Sequence, residues 1–177
     1  MTEKEQAEVD EIRKNGGDVR KAHISEATVF AHDEAILANI NNIVMPGDTL
    51  WCLGDFAMGH HTEDATRWLN RINCKDVRLI RGNHDHENVC KAFDFVRDYY
   101  ELKIDDLMIM MCHYPMEVWN KSHYGSWMLC GHRHFRLDQN PPDRKLLDCG
   151  VDGYCYKPWS LDEIKAYMAD KGIQEHH

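Results

Sequence analysis

The chain has 177 residues, 43% hydrophobic and 29% charged, enough for one domain with a core of its own. Its formal net charge of −9 argues against duplex DNA and anionic membranes as partners, yet admits a small phosphorylated molecule held through a divalent cation. Cysteines at 52, 74, 90, 112, 130, 149 and 155 are odd in number and form no CxxC, as in a cytoplasmic protein with reduced thiols, and the longest apolar run, Leu107–Cys112, is too short to cross a bilayer.

Residues 1–10 are polar and acidic and hold no secretory h-region. Weak helical periodicity over 3–15 (Val9, Ile12) closes at Gly16-Gly17. Thr28 is placed to cap a helix whose apolar positions Ile36, Leu37, Ile40 and Ile43 recur at helical spacing. Pro46-Gly47-Asp48 is a turn, and 49–53 reads as a short buried strand ending at Gly54-Asp55. Thr62 opens a helix with Ala65, Trp68, Leu69 and Ile72 on one face, and strand 77–80 runs into Gly82-Asn83-His84-Asp85. Tyr99–Ile104 and Leu107–Cys112 make a hairpin around Asp105-Asp106, the second strand ending at His113. Trp127–Cys130 leads into Gly131-His132-Arg133-His134, and 146–151 is a further strand. Ser160 begins a closing helix over 161–168, with Glu163 at the capping-box position. The economical division is an atypical segment 1–27 followed by a single α/β domain over 28–177.

Four strands thus end in a donor: Asp55, Asn83, His113 and His132. One strand ending in histidine is usually a satisfied polar group at a sheet edge. Four are different, because strand ends along one edge converge and carry function. A mix of carboxylate, amide oxygen and imidazole suits Mn²⁺, Fe or Zn²⁺ and is not that of a soft, Cys-rich site.

These blocks, in this order, resemble the motifs of the calcineurin-like metallophosphoesterases. Within that superfamily the chain looks most like small single-domain enzymes of bacteria and phages, which share phrases such as Pro46-Gly47-Asp48-Thr49 and Tyr156-Lys157-Pro158. The resemblance implies an αββα sandwich, two mixed sheets flanked by helices, with metals at one edge. It implies that Asp55 bridges two cations, that Asn83, His113 and His132 complete one site, and that His134 serves the other. His84 would be the general acid and Asp85 its orienting partner. Two cations roughly 3.5–4 Å apart can clamp a phosphoryl group and activate water, and a positioned imidazole adds about 10²–10⁴ in rate. Mn²⁺ is the leading ion, with Fe, Zn²⁺ and Ni²⁺ as alternatives. The implied activity is hydrolysis of small phosphate esters, diesters ahead of monoesters, a nucleotide being one candidate substrate. A membrane or a long nucleic acid is not an expected partner.

The sequence departs from the family at its start. Members open on a strand ending in Asp-x-His; here Asp10-Glu11-Ile12 and Asp18-Val19-Arg20 both lack the histidine. One metal site is therefore complete, whereas the second has only Asp55 and His134. Three explanations stay open: a lost first strand, substitute ligands upstream, or one cation bound well and another poorly. Met58 stands where an aspartate often follows the Gly-Asp motif. His23 is read as solvent-facing, His32 as a helix residue, and His60, His61 and His86 as solvated loop residues. Trp51, Trp68 and Trp127 are read as core and Asp152 as a structural capping acid, while His176 and His177 receive no role. The rival function is a catalytically weak or inactive metal-binding scaffold of the same fold, which the intact His84 opposes because a scaffold needs no acid.

Overall fold

The computed structural model describes residues 1–18, 22–134 and 136–173. Val19, Arg20, Lys21, Phe135 and 174–177, including His176 and His177, lie outside the described residues. The chain divides into two compact units, Met1–Ala38 and Asn39–His177.

In the first unit, helix α1 (Glu3–Lys14) begins with a capping box between Thr2 and Glu5. Helix α2 (Glu26–Ile43) starts before Thr28, and it is the Ser25 hydroxyl that accepts the Thr28 N–H at 3.3 Å. The expected cap is displaced for a physical reason: the Thr28 hydroxyl donates to the Glu5 carboxylate at 2.7 Å. Glu5 also accepts the backbone N–H groups of Thr2 and Ser25, and these bonds hold its carboxyl well below the usual range.

The second unit is built on two sheets. Strands β1 (Thr49–Cys52), β2 (Asp76–Ile80) and β3 (Val96–Arg97) form a parallel sheet in the order β1-β2-β3. Strands β4 (Tyr99–Ile104), β5 (Leu107–Cys112), β6 (Trp127–Cys130) and β7 (Leu146–Asp148) form the other, β4 antiparallel to β5 and the rest parallel. Among the described residues, no strand precedes β1.

Alternation along each strand sorts the apolar residues into layers. Leu79 joins Ala65 of α3 (Thr62–Leu69) and Val89 of α4 (Glu87–Cys90), whereas its neighbour Ile80 joins Ile109, Met111, Leu129 and Leu147 of the other sheet. Helix α5 (Leu161–Ala169) adds Ile164 and Met168 to that same cluster. The opposite faces of β5 and β6, through Met110, Cys112, Met128 and Cys130, pack with Trp119. Because both faces are covered, these two strands read as unbroken apolar runs.

Strand β7 stops three residues short of its expected end. The chain turns there as the Gly150 N–H donates to the Asp148 carboxylate at 2.9 Å and a 3-10 turn forms over Val151–Gly153. Ser160 and Glu163 cap α5 reciprocally, as the sequence implied. Among the described residues, no helix is long and apolar enough to cross a membrane.

Candidate metal centre

The loops after β1, β2, β5 and β6 meet at one place. They come from two sheets, not from one sheet edge as strand ends alone implied. His113 is 1% exposed and forms the base. Its Nδ1 lies 2.7 Å from the Leu53 carbonyl, which joins the end of one sheet to the end of the other. The Gly131 N–H donates to the His113 carbonyl at 3.0 Å and brings the third loop alongside.

Close backbone approach is a requirement here. A Cβ at Gly54, whose φ is 100°, would collide with the His113 ring and stand 2.8 Å from the Gly82 Cα. Three donor residues, Asp55 (φ 56°), His132 (φ 70°) and His134 (φ 50°), occupy the left-handed region that side chains disfavour. Such strain persists only where the surroundings dictate it, and it gathers at functional sites.

A carbonyl oxygen can only accept, so the His113 ring presents its N–H to Leu53. In the neutral ring Nε2 then turns a bare lone pair outward. It faces the Asn83 Oδ1 at 3.0 Å, the His132 Nδ1 at 3.1 Å and the Asp55 Oδ2 at 3.4 Å. Neither an amide oxygen nor a carboxylate has a proton to offer. Donors bound about 2.1 Å from a tetrahedral or octahedral cation stand roughly 3.0–3.4 Å apart, which is the spacing seen. The residues present therefore fit one divalent cation, with Asp55, His113 and His132 as the acid-and-imidazole triad.

Asp85 takes a different part from the one expected. Its buried carboxylate accepts the N–H groups of Gly82, Asp55 and Phe56, each at 2.8 Å. Both oxygens are thereby committed to backbone, so no hydrogen bond to the His84 ring carries the orienting role. Asp85 instead fastens the loop after β1 to the loop after β2. His84 is exposed, and its backbone N–H donates to the Asp55 Oδ1 at 2.9 Å. Burial and then the charge of Asp85 push the Cys52 thiol up to about 12, which disfavours a thiolate there.

His134 stands apart from the triad. Its ring is 69% exposed, and its Nδ1 meets the Asp152 carboxylate in the 3-10 turn after β7. Asp152, read as a capping acid, is thus a histidine partner. Tyr114 was not singled out either, though its half-exposed ring packs edge-on to His132 at 4.7 Å. The signal available was only its position next to a donor. Of the other histidines, His60 and His86 pack ring to ring at 4.0 Å, His61 precedes α3, and His32 lies 3.1 Å from Asp33 within α2. Trp127 is buried and Trp51 packs against the inter-sheet cluster, whereas Trp68 is flanked by the Arg67 and Arg71 guanidiniums.

Residues 23–152 match the family model of the calcineurin-like phosphoesterase superfamily domain. The chain belongs to this superfamily. An uncharacterized protein of Methanocaldococcus jannaschii is 29% identical over 144 residues, 79% of this chain and 76% of that one. Among solved structures, a protein of unknown function from Aquifex aeolicus has the same fold, with a TM-score of 0.62 at 21% identity over 89% of this chain and 91% of that one. A phosphoesterase from E. coli matches at 17% identity and a TM-score of 0.47, over 68% and 71% of the two chains. Calcineurin-like phosphoesterases are divalent-metal-dependent hydrolases of phosphate esters, and Asp55, His113 and His132 are the candidate metal triad of this one.

Proposed function

We propose that this chain hydrolyses small phosphate esters with Mn²⁺ as its cation, diesters ahead of monoesters, and that His84 gives the departing oxygen its proton. The observation that carries this reading is the convergence of Asp55, Asn83, His113 and His132 on one point with no proton among the oxygens. A divalent cation held there would supply Lewis acidity toward the phosphoryl oxygens and lower the pKa of a water. The protein's own groups do the rest. Asp85 holds the two loops at fixed spacing, Leu53 fixes the His113 tautomer, and Asp55 accepts the His84 backbone N–H. The exposed ring of His84 can then donate to an alkoxide leaving group.

A cavity of about 370 Å³ is lined by Pro115, Met116 and Glu117 from the loop after β5, by Arg133 from the loop after β6, and by Arg144. Arg144 is already paired there with Glu117 at 2.8 Å and with Asp143 at 3.2 Å, so on a chain of net charge −9 its guanidinium does not by itself select a phosphate. The exposed edge of Tyr114 offers an aromatic surface, so a nucleotide is one candidate. A long nucleic acid is disfavoured by the same net charge. The diester preference follows from the sparse ligands of the second cation, which leave a dianion poorly neutralised.

Leaving-group dependence tests the assignment. With Mn²⁺ added, hydrolysis of bis-nitrophenyl phosphate should appear and be abolished by EDTA. His84→Ala should cost little on that substrate, whose phenolate leaves without a proton, yet lose about 10²-fold or more on a nucleotide diester. Asp55→Asn should cripple both alike. Equal losses for His84→Ala on good and poor leaving groups would refute the acid role. Tight metal binding with no hydrolysis of any ester would instead favour the scaffold reading.

A further inference from the structure

The partner of His134 comes from the far side of the sequence. Asp152 lies 18 residues on, beyond β7, and its carboxylate meets the His134 Nδ1. Strands β6 and β7 are parallel neighbours, with Cys130 paired to Asp148, so the loop after one and the turn after the other emerge side by side. That turn is well anchored. The Gly153 N–H donates to the Gly150 carbonyl at 3.2 Å and the Tyr156 N–H to the Val151 carbonyl at 2.9 Å.

A carboxylate can only accept, so Asp152 accepts a hydrogen bond from Nδ1–H and leaves Nε2 bare in the neutral ring. His113 shows the same division of labour, with the Leu53 carbonyl on Nδ1 and Nε2 turned to the other donors. Oxygen partners on the far ring nitrogen are how proteins fix the tautomer and raise the basicity of metal-ligating histidines. His134 lies two residues beyond His132, in the same loop and with the same left-handed backbone. We infer that Asp152 is a positioning residue that holds His134 in the Nδ1–H form with Nε2 presented to a second cation. This rests on the phosphoesterase reading only in naming His134 as a ligand. Asp55 and His134 are the only residues assigned to that cation, so the orientation of one of them carries much of its affinity.

Two measurements on the full chain test this without any substrate. Long-range ¹H–¹⁵N spectra of the metal-free protein report which nitrogen of His134 carries the proton. Wild type should show the Nδ1–H form, and Asp152→Ala should show mainly Nε2–H. Mn²⁺ calorimetry should show the second affinity falling about 10- to 100-fold in Asp152→Ala with the first unchanged. Asp152→Asn, whose amide oxygen still accepts, should recover part of both effects. An Nε2–H form in wild type, a second affinity indifferent to Asp152→Ala, or no second Mn²⁺ at all would each overturn the inference. The two readings also fail separately. The expected tautomer and affinities with no ester cleaved would leave Asp152 in place and remove the phosphoesterase assignment, whereas cleavage with no effect at Asp152 would do the reverse.

Discussion

The two histidines of the loop after β6 illustrate two ways of presenting an imidazole. His132 faces the buried His113 ring at 3.1 Å, within a set of four donors drawn from four loops and two sheets. His134, two residues on, is mostly exposed and meets one carboxylate. The first arrangement is fixed by packing and many partners, the second by one partner at the surface. One loop can therefore carry two imidazoles under different control, one held by packing and several partners and the other by a single carboxylate.

Removing Asp85 should have the largest effect, because it strikes the side held by several partners. Asp85→Ala leaves three backbone N–H groups without their acceptor, at a cost of about 3 kcal/mol or more. Denaturant unfolding should register that loss and metal analysis a vanished tight cation, while His134 keeps Asp152. Unchanged stability would mean that the loops hold themselves.

Next comes His113→Ala, which should weaken the tight cation by more than the 10- to 100-fold that loss of an outer partner typically costs. His61→Ala, at the start of α3, is the control and should leave occupancy after Mn²⁺ or Zn²⁺ addition unchanged. Should wild type retain less than roughly a tenth of an equivalent, the four-donor cluster is not a metal site at all, since clusters of this donor set bind their ion.

A third, smaller effect concerns inequality between the sides. Titration of wild type should give one tight Mn²⁺ and a second at least about tenfold weaker, a difference of ~1.4 kcal/mol. Two equal affinities would mean that the second cation has more ligands than Asp55 and His134. They would send the search for replacement donors to Asp10, Asp18, His23 and His32, by alanine substitution at each.

The smallest effect lies away from both sides. Hydrogen bonds from the Ser160 N–H, the Ser160 hydroxyl and the Tyr154 hydroxyl hold the Glu163 carboxyl below its ordinary 4.5. A depressed carboxyl stabilises the fold fully above that ordinary value, and the contribution fades as pH falls through the lower folded value. Glu163→Gln should therefore flatten the acid limb of stability slightly and alter neither cation, which thermal melts between about pH 5 and 3 can follow.

Much of this was legible in the chain itself. Strands β5 and β6 begin and end where their apolar runs do, because both faces are covered, and the donors at their ends stand out for that reason. Sheet membership was not legible, since periodicity reports a covered face without saying what covers it. The part played by Asp85 was hidden because its acceptors' partners, Asp55 and Phe56, lie some thirty residues upstream and are backbone groups, which no side-chain pattern displays. Asp152 was mistaken for a cap because its histidine reaches it across neighbouring parallel strands. Helix α4 and strand β3, at four and two residues, are too short to show any period.

The bonds of Asp85 to Gly82, Asp55 and Phe56 involve only the chain's own amides. The spacing of the loops after β1 and β2 is thus set by one carboxylate and the polypeptide's own amides. A change at position 85 reaches Asp55 and Asn83 through the backbone, without touching either side chain.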